Sequence, residues 1–283
     1  MRHTYHLVVS CPDTKGIVAA VSQFIAVHDG LIIEADHHTD INSQQFFMRY
    51  EIDADSLAIS LDDFIAEFQS VASRFTMQFA IFDAARKKRM LILASKQAHC
   101  LEDLLYRWQS KELHCEIVAV VSNHDALRKR TEWYGLPFHY VPIRQNKAEH
   151  FAKVNQLIAD YHTDVIVLAR YMQVLPETLC QQYSNQIINI HHSFLPSFVG
   201  ARPYQQAYNR GVKLIGATAH YVTQDLDEGP IITQDVAHIS HRQNLEEYIR
   251  LGKDVERLVL ARAVKAHLED RVIAYRNKTV VFG

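Results

Sequence analysis

Two polar segments, each following an apolar run, carry the residue types that chemistry at a carbonyl group requires. Residues 187–196 read IINIHHSFLP and residues 220–230 read HYVTQDLDEGP. In each, a strand-like run meets a loop that is broken by Pro or Gly. Together they supply a carboxamide (Asn189), an imidazole (His191) and a carboxylate (Asp227). Because these groups can bind a carbonyl oxygen, move a proton and orient an imidazole, the pair predicts a catalytic site.

A structural role is the alternative for either segment taken alone. The chain contains 17 His among 283 residues, so a neighbouring His-His pair is weak evidence of function. An Asn-x-His at a strand end most often caps a loop or lies on the surface. Two such segments in order, each at a boundary between strand and loop, favour the catalytic interpretation.

Length and composition predict two cytoplasmic domains with proper cores. A chain of 283 residues exceeds one ordinary domain, and 48% of them are hydrophobic. The formal charge of −2 gives no reason to expect nucleic acid or a membrane as a partner. The first ten residues lack the apolar core of a signal peptide, and no run approaches the ~18 apolar residues of a membrane span. Reduced thiols, neither disulfides nor zinc ligands, are expected at the scattered cysteines: Cys11, Cys100, Cys115 and Cys180.

Residues 1–84 predict a ferredoxin-like α+β domain. Apolar runs predict strands at 6–10, 31–35, 46–52 and 76–82, and helical spacing links Ile17, Val21, Phe24 and Ile25, then Leu61, Phe64, Ile65 and Phe68. The resulting order β-α-β-β-α-β defines that arrangement.

The start of the first helix and a histidine pair are the polar features of this domain. Asp13 or Thr14 is predicted to cap the helix that begins after Gly16. A metal site at His37 and His38 is disfavoured, because adjacent side chains on a strand face opposite sides.

Residues 85–283 predict a doubly wound, mostly parallel α/β domain. After a charged run at 86–89, expected to be a solvated linker, strands are predicted at 90–95, 115–122, 138–141, 164–169 and 231–236, with helices around 101–108, 126–132, 151–158 and 245–268. In such sheets the site lies beyond the carboxyl ends of the strands, which is where both catalytic segments fall.

These motifs resemble the active site of the formyltransferase fold, the family that uses 10-formyltetrahydrofolate. In that family Asn-x-His is completed by an Asp in a loop ending Leu-Asp-x-Gly-Pro, which implies catalytic roles for Asn189, His191 and Asp227. The loop after the fourth strand of the second domain then implies a folate slot, in which flat heterocycle edges meet backbone amides and apolar side chains. The predicted folate contacts are Arg170, Met172, Gln173, Val174, Leu175 and His220.

Three features point to the deformylase branch of that family. The first domain, with its Asp13-x-x-Gly16-Ile17 start, looks like an ACT domain, which implies a homo-oligomer and an amino-acid effector, with pure oligomerisation as the alternative. Branches that formylate a ribonucleotide carry a Gly-rich phosphate loop after the first strand. Here residues 95–101 read SKQAHCL, without glycine, although Ser95 and Lys96 could still touch an anion. No basic C-terminal domain for tRNA is expected.

The resemblance implies hydrolysis of 10-formyltetrahydrofolate to tetrahydrofolate and formate, in support of one-carbon metabolism and purine biosynthesis. Asn189 and protonated His191 would donate to the oxyanion, Asp227 would hold His191 and position water, and neither metal nor cofactor is required. A formyltransferase that acts on a small amine is the first alternative. An effector sensor built on an inactive enzyme fold is the second.

Overall fold

The computed structural model describes residues 2–143, 146–196 and 203–283. They divide into two compact units. The first contains residues 1–86, 269–273 and 280–283, and the second contains residues 87–268 and 274–279. The division near residue 86 lies close to the predicted domain boundary at 84. Two short stretches of the C-terminal tail, however, belong to the first unit, whereas the sequence placed them in the second.

The first unit is built on a four-stranded antiparallel sheet with the order β2-β3-β1-β4. Its elements are β1 Thr4–Pro12, α1 Ile17–Val27, β2 Ile32–Asp40, β3 Gln45–Asp53, α2 Leu61–Arg74 and β4 Gln78–Asp83. Side chains from both helices and from the sheet share one core, including Leu7, Val21, Met48 and Phe68. The α+β arrangement that the apolar runs predicted is therefore confirmed.

The first helix does not begin with the predicted cap. Its N-terminal residue is Gly16, which has a φ of 94° and makes no side-chain capping bond. The Thr14 hydroxyl donates to the Pro12 carbonyl instead, and Asp13 is tied to the turn before β3 through its backbone N–H, which donates to the Gln44 carbonyl. Gly16 adopts a left-handed conformation that other residues rarely take, so the chain turns into α1 without a capping side chain.

The second unit is built on a seven-stranded sheet with the order β11-β10-β9-β8-β5-β6-β7. Its strands are β5 Lys88–Ala94, β6 Cys115–Ser122, β7 Phe138–Tyr140, β8 Val165–Ala169, β9 Ile187–His191, β10 Leu214–Tyr221 and β11 Ile231–His238. The helices are α3 His99–Gln109, α4 Arg128–Trp133, α5 Lys147–Asp160, α6 Glu177–Gln182, α7 Pro203–Arg210 and α8 Leu245–Leu268. A small hairpin, β12 Val272–Tyr275 and β13 Lys278–Val281, follows α8. The five strands from β9 to β7 run parallel and β10 runs antiparallel to both of its neighbours, which confirms the mostly parallel sheet.

The charged run at 86–89 is not wholly a linker, so that prediction is wrong in its second half. Lys88 and Arg89 are the first residues of β5. The Lys88 ammonium donates to the carbonyls of His267 and Leu268, at 2.9 and 3.0 Å. A cation is favourable there because these carbonyls end helix α8. Lys88 therefore ties the start of the central strand to the end of the longest helix.

The middle of the sheet is apolar and buried, so the polar groups lie at its edge. Strands β5 and β8 pair in parallel and are buried along most of their length. Because parallel strands all end at the same edge, the segments after β5, β6, β8 and β9 converge there. None of the helices in the described ranges has the length and apolar character that crossing a membrane requires.

Candidate active site

Strands β9 and β10 bring Asn189, His191 and His220 together. The two strands pair antiparallel, with Asn189 opposite His220 and His191 opposite Thr218. Asn189 and His191 are two residues apart, so their side chains face the same side of the sheet. A bulge between Ala219 and His220 alters the register where β10 meets β11. The Asn-x-His motif is therefore a pair of neighbours on one face, at the end of a buried strand.

The loop after β10 carries Asp227 back toward those residues. Asp227 adopts a φ of 58°, in the left-handed region, which Asp tolerates better than most residues. Two residues on, a Cβ at Gly229 would lie 1.8 Å from the Tyr221 carbonyl oxygen, so only glycine fits. The Tyr221 N–H donates to the Pro230 carbonyl at 2.9 Å. The Asp-x-Gly-Pro sequence thus closes a tight loop whose Asp points inward.

Asp227 joins the two imidazoles. Its Oδ2 lies 3.1 Å from His191 Nδ1, and its Oδ1 lies 3.7 Å from His220 Nε2. His191 is 6% exposed, and its Nε2 is buried without a hydrogen-bond partner in the part of the chain that the structure describes. An imidazole that is held at Nδ1 and open at Nε2 is oriented to bond a group that enters from outside.

His220 orients Asn189. Its Nδ1 lies 2.8 Å from the Tyr221 carbonyl oxygen, which can only accept, so Nδ1 carries the proton. In the neutral ring Nε2 then accepts from the Asn189 amide, at 3.2 Å. The second N–H of that amide is left for another acceptor. His220 is 2% exposed, and both of its ring nitrogens face protein groups. It was predicted as a folate contact, and in the structure its ring bonds the Asn189 amide and the Tyr221 carbonyl.

The charges of the site follow from these contacts. Burial opposes ionisation of Asp227, but the hydrogen bond from His191, together with the nearby imidazole of His220, outweighs it and holds its pKa well below the usual range. Asp227 is therefore a carboxylate at neutral pH. The neighbouring His192 behaves in the opposite way. Burial, together with the positive charge of Arg170, lowers its pKa to about 4 and keeps it neutral.

A cavity of about 330 Å³ opens onto these groups. Every residue predicted for the site lines it: Asn189, His191, Asp227, Arg170, Met172, Gln173, Val174, Leu175 and His220. Met172 and Val174 are 56% and 63% exposed, so they are not core residues. The apolar side chains of the loop after β8 thus form a wall that a flat ring could cover.

A serine network that the sequence did not predict fixes this loop. The Ser95 hydroxyl donates to Asn123 Oδ1 at 2.7 Å and accepts from the Met172 N–H at 3.1 Å. Ser95 and Asn123 are 3% and 7% exposed. We expected that Ser95 could touch an anion, but its hydroxyl is occupied by the loop after β8. The position of Ser95 could have indicated this role, because Ser95 directly follows β5 at the sheet edge where the strand ends converge.

The Arg170 side chain lines this cavity and also contacts a buried carboxylate. Its Nε lies 3.3 Å from Glu256 Oε2, and its backbone has a φ of 60°. Glu256 was missed by the sequence analysis, although it stands among buried positions of α8 that include Gly252 and Leu260. A charged residue in the apolar stripe of a helix was the signal that could have found it.

Comparison with known proteins agrees with this geometry. Residues 88–264 match the family model described as "Formyl transferase". The chain is 50% identical over 279 residues to a formyltetrahydrofolate deformylase of Bacillus subtilis, covering 98% of this chain and 93% of that protein. The crystal structure of a formyltetrahydrofolate deformylase from Pseudomonas syringae superposes with a TM-score of 0.98 at 55% identity, covering 100% of this chain and 95% of that one. A phosphoribosylglycinamide formyltransferase from Anaplasma phagocytophilum has a TM-score of 0.64 at 29% identity and covers 70% of this chain and 96% of that one.

Proposed function

The chain belongs to the formyltetrahydrofolate deformylase family, and on that premise we propose that it hydrolyses 10-formyltetrahydrofolate to tetrahydrofolate and formate. One observation carries this for the site itself. His191 presents a buried, unbonded Nε2 to a cavity while Asp227 holds its Nδ1. That arrangement suits a carbonyl oxygen as the missing partner.

Two donors stabilise the tetrahedral intermediate in this mechanism. Protonated His191 donates from Nε2, and Asn189 donates the N–H that His220 leaves unused. Such fixed donors are worth most where charge develops in the transition state, since removing one typically costs ~10²–10³ in kcat. Their fixed geometry comes from β9 and from the His220 bond, so little reorganisation is required.

Asp227 supplies the negative charge of the site. Its carboxylate stabilises the His191 cation and positions the attacking water. The water oxygen bonds to the formyl carbon, the bond from that carbon to N10 breaks, and N10 takes up a proton as formate leaves. Because the pKa of Asp227 is held low, we propose that a proton passes through this carboxylate transiently or moves along a chain of water.

The folate lies against Met172, Val174 and Leu175, with Arg170 and Gln173 beside it. The apolar wall and the free peptide groups of this loop suit a flat heterocycle with a donor and acceptor edge. We propose that the reaction uses neither metal nor cofactor, because the oxyanion donors and the base are all side chains of this chain. The folate is then substrate alone.

The decisive experiment is a product assay. The purified protein is incubated with 10-formyltetrahydrofolate, and tetrahydrofolate and formate are quantified without any amine. Equal amounts of both products are expected. Addition of glycinamide ribonucleotide should neither raise the rate of folate deformylation nor yield a formylated amine. If a formylated amine formed faster than formate, the transferase alternative would replace hydrolysis.

For the first unit we propose an ACT-type role, in which it binds a small amino acid and joins subunits into a homo-oligomer. Its strand order supports this, as does the glycine at the start of α1. A Cβ on Gly16 would have no atom within 4 Å, so the turn borders open space. Backbone N–H groups at a helix start suit a carboxylate.

The full chain tests the regulatory role better than a truncated one, because residues 269–273 and 280–283 pack with the first unit. A panel of amino acids is added to the parent and to the variant Gly16→Val, and deformylation and molar mass are followed. We expect an amino acid to change the deformylation rate of the parent only. Both proteins should have a molar mass above that of one chain. A monomeric parent that no amino acid affects would leave the ACT role without support.

We also propose that the enzyme works in the cytoplasm, where the formate that it releases supports purine synthesis. Cys11, Cys100, Cys115 and Cys180 are free and buried, which suits a reducing compartment.

A further inference from the structure

A second cavity of about 500 Å³ adjoins the reaction site. It shares three wall residues with the first cavity, namely Arg170, Met172 and His192. Its far side is formed by α3, α7 and α8, and includes His99, Tyr204 and Glu256. Arg170 therefore stands in the partition between the two cavities, directly before residues 171–175, the loop that forms the proposed folate wall.

Glu256 is the buried centre of this partition. It is 1% exposed, and both carboxylate oxygens have partners. Tyr204 donates to Oε1, while His99 Nε2 lies 2.8 Å and Arg170 Nε 3.3 Å from Oε2. Burial raises the pKa of this carboxyl, but the His99 hydrogen bond and the Arg170 charge outweigh burial and lower it. Glu256 is thus an ionised carboxylate with no open position.

A glycine one turn before Glu256 makes room for Tyr204. A Cβ on Gly252 would lie 2.2–2.4 Å from three atoms of the Tyr204 phenol, including its oxygen. No contact that short is possible. The Tyr204 ring therefore fits over the one residue of α8 that lacks a side chain, and its hydroxyl reaches Glu256 from there.

A metal ion is the competing occupant of this cluster. His99, Cys100 and Glu256 place potential ligand atoms within 4.8 Å of one another. However, the Arg170 guanidinium already neutralises Glu256, and a second cation beside it would be repelled. Burial also raises the pKa of the Cys100 thiol well above its usual value, which disfavours the thiolate that binds metals. These contacts describe a polar network closed around the Glu256 carboxylate, in which Arg170 is held by charge, while His99 Nδ1 and Arg170 Nε make no hydrogen bond among the described residues.

We propose that Tyr204, Gly252, His99 and Glu256 are positioning residues that act on the reaction through Arg170. Arg170 holds a left-handed conformation that is unfavourable for a non-glycine residue and persists only where its surroundings determine it. The ion pair with Glu256 supplies that determination. Arg170 in turn sets the direction in which residues 171–175 leave β8 to form the folate wall.

The expected signature is a change in folate affinity without a change in chemistry. The folate wall binds the ring system and does not reach the formyl carbon, so displacing it weakens binding in the ground state and the transition state equally. A loss of that kind raises KM and leaves kcat unchanged. Loss of the charge-assisted bond from Tyr204 corresponds to about a tenfold effect.

The test compares Tyr204→Phe with Tyr161→Phe in the full chain. The control Tyr161→Phe also removes a side-chain hydrogen bond, to His139 at 2.8 Å, but Tyr161 lines neither cavity. Tyr204→Phe should raise KM for 10-formyltetrahydrofolate about tenfold and keep kcat within about threefold, and Tyr161→Phe should change neither. Calorimetry with tetrahydrofolate should show the same loss of affinity.

Gly252→Ala gives a second, independent readout. With Tyr204 in place, the new methyl group displaces the ring, so KM should rise at least as much as in Tyr204→Phe. In a Tyr204→Ala background the ring is absent, and Gly252→Ala should then add no further loss. That non-additivity identifies the ring contact as the cause, and Tyr204→Phe serves as the measure if the glycine variant fails to fold.

This inference rests on the proposed function, yet the two fail differently. A parent that releases no formate would contradict the proposed hydrolysis, while calorimetry would still test the network. An active parent whose Tyr204→Phe variant keeps its KM and its affinity for tetrahydrofolate would overturn the positioning role. A fall in kcat at constant KM would overturn it too, because it would place Tyr204 in the chemistry.

Discussion

Two carboxylates at the same edge of the sheet, Asp227 and Glu256, differ in how completely their oxygens are bonded. Both are held ionised against burial by imidazole partners, and Glu256 also by Arg170. The side chain of Glu256 is 1% exposed and bonded at both oxygens, whereas that of Asp227 is 14% exposed and borders the reaction cavity. A low pKa alone therefore does not distinguish Asp227, the proposed reacting group, from Glu256. An open side is also needed.

Each carboxylate depends on a nearby glycine. Gly229 lets the Asp227 loop pass the Tyr221 carbonyl, and Gly252 lets Tyr204 lie on α8. The first glycine brings a carboxylate toward the cavity, and the second admits a ring that closes a carboxylate off. A missing side chain thus opens one carboxylate to the cavity and encloses the other, depending on which residues pack against the glycine.

The largest expected effect is a loss of kcat on substitution of Asp227, the carboxylate that borders the cavity. Asp227→Asn keeps the shape but removes the charge that stabilises the His191 cation, so kcat should fall by at least ~10²-fold while folate still binds. His191→Ala should cost a similar factor. The double variant should be little worse than either single one, because both residues serve one step. Steady-state kinetics with 10-formyltetrahydrofolate measures all three.

The matched control is Glu228→Gln, in the same loop. Glu228 is exposed and does not line the cavity, so the activity of the Glu228→Gln variant should equal that of the parent. A loss in Glu228→Gln as large as in Asp227→Asn would mean that the loop, and not the Asp227 charge, is responsible. Activity of Asp227→Asn within a few-fold of the parent would remove that residue from the mechanism.

For Glu256, the carboxylate bonded at both oxygens, the expected effect is a loss in the free energy of unfolding. Glu256→Gln keeps the shape but leaves the largely buried Arg170 without its counter-charge, and breaking a buried pair from one side costs ~3–5 kcal/mol. Because glutamine can still accept hydrogen bonds, we expect a loss of roughly 2 kcal/mol in the free energy of unfolding. Glu246→Gln, on an exposed position of the same helix, is the control. A parent-like unfolding midpoint for Glu256→Gln would contradict the buried pair.

Much of the fold and the reactive face could be predicted from the sequence because these features are local. Apolar runs such as that of β6 mark strands buried on both faces, and the i, i+2 spacing puts Asn189 and His191 on one side. Loop chemistry was predictable where glycine and proline leave one solution, as at Gly229. The cap of α1 was mispredicted because Gly16, through its backbone alone, replaced the expected side-chain bond.

The closed network could not be predicted because it is assembled from distant parts of the chain. His99, Arg170, Tyr204 and Glu256 come from α3, the end of β8, α7 and α8. Their meeting depends on packing angles between helices, which no local pattern encodes. Lys88 shows the same limit, since a charged run reads as linker until the carbonyls at the end of α8 are known to lie beside it.

The smallest expected effect is a pH dependence of stability at Asp227. Burial raises its pKa, but the His191 hydrogen bond and the nearby His220 imidazole lower it by more, so the folded pKa lies below the unfolded one. A depressed pKa contributes stability that is complete above the unfolded pKa of ~3.9 and is lost as pH falls toward the folded pKa. The thermal unfolding midpoint of the parent should exceed that of Asp227→Asn by a similar margin at pH 7 and pH 5, worth roughly 1–2 kcal/mol. Near pH 3 the margin should narrow. If it instead narrowed already between pH 7 and pH 5, the folded pKa of Asp227 would not be depressed, and its imidazole partners would not hold it ionised as the partners of Glu256 do.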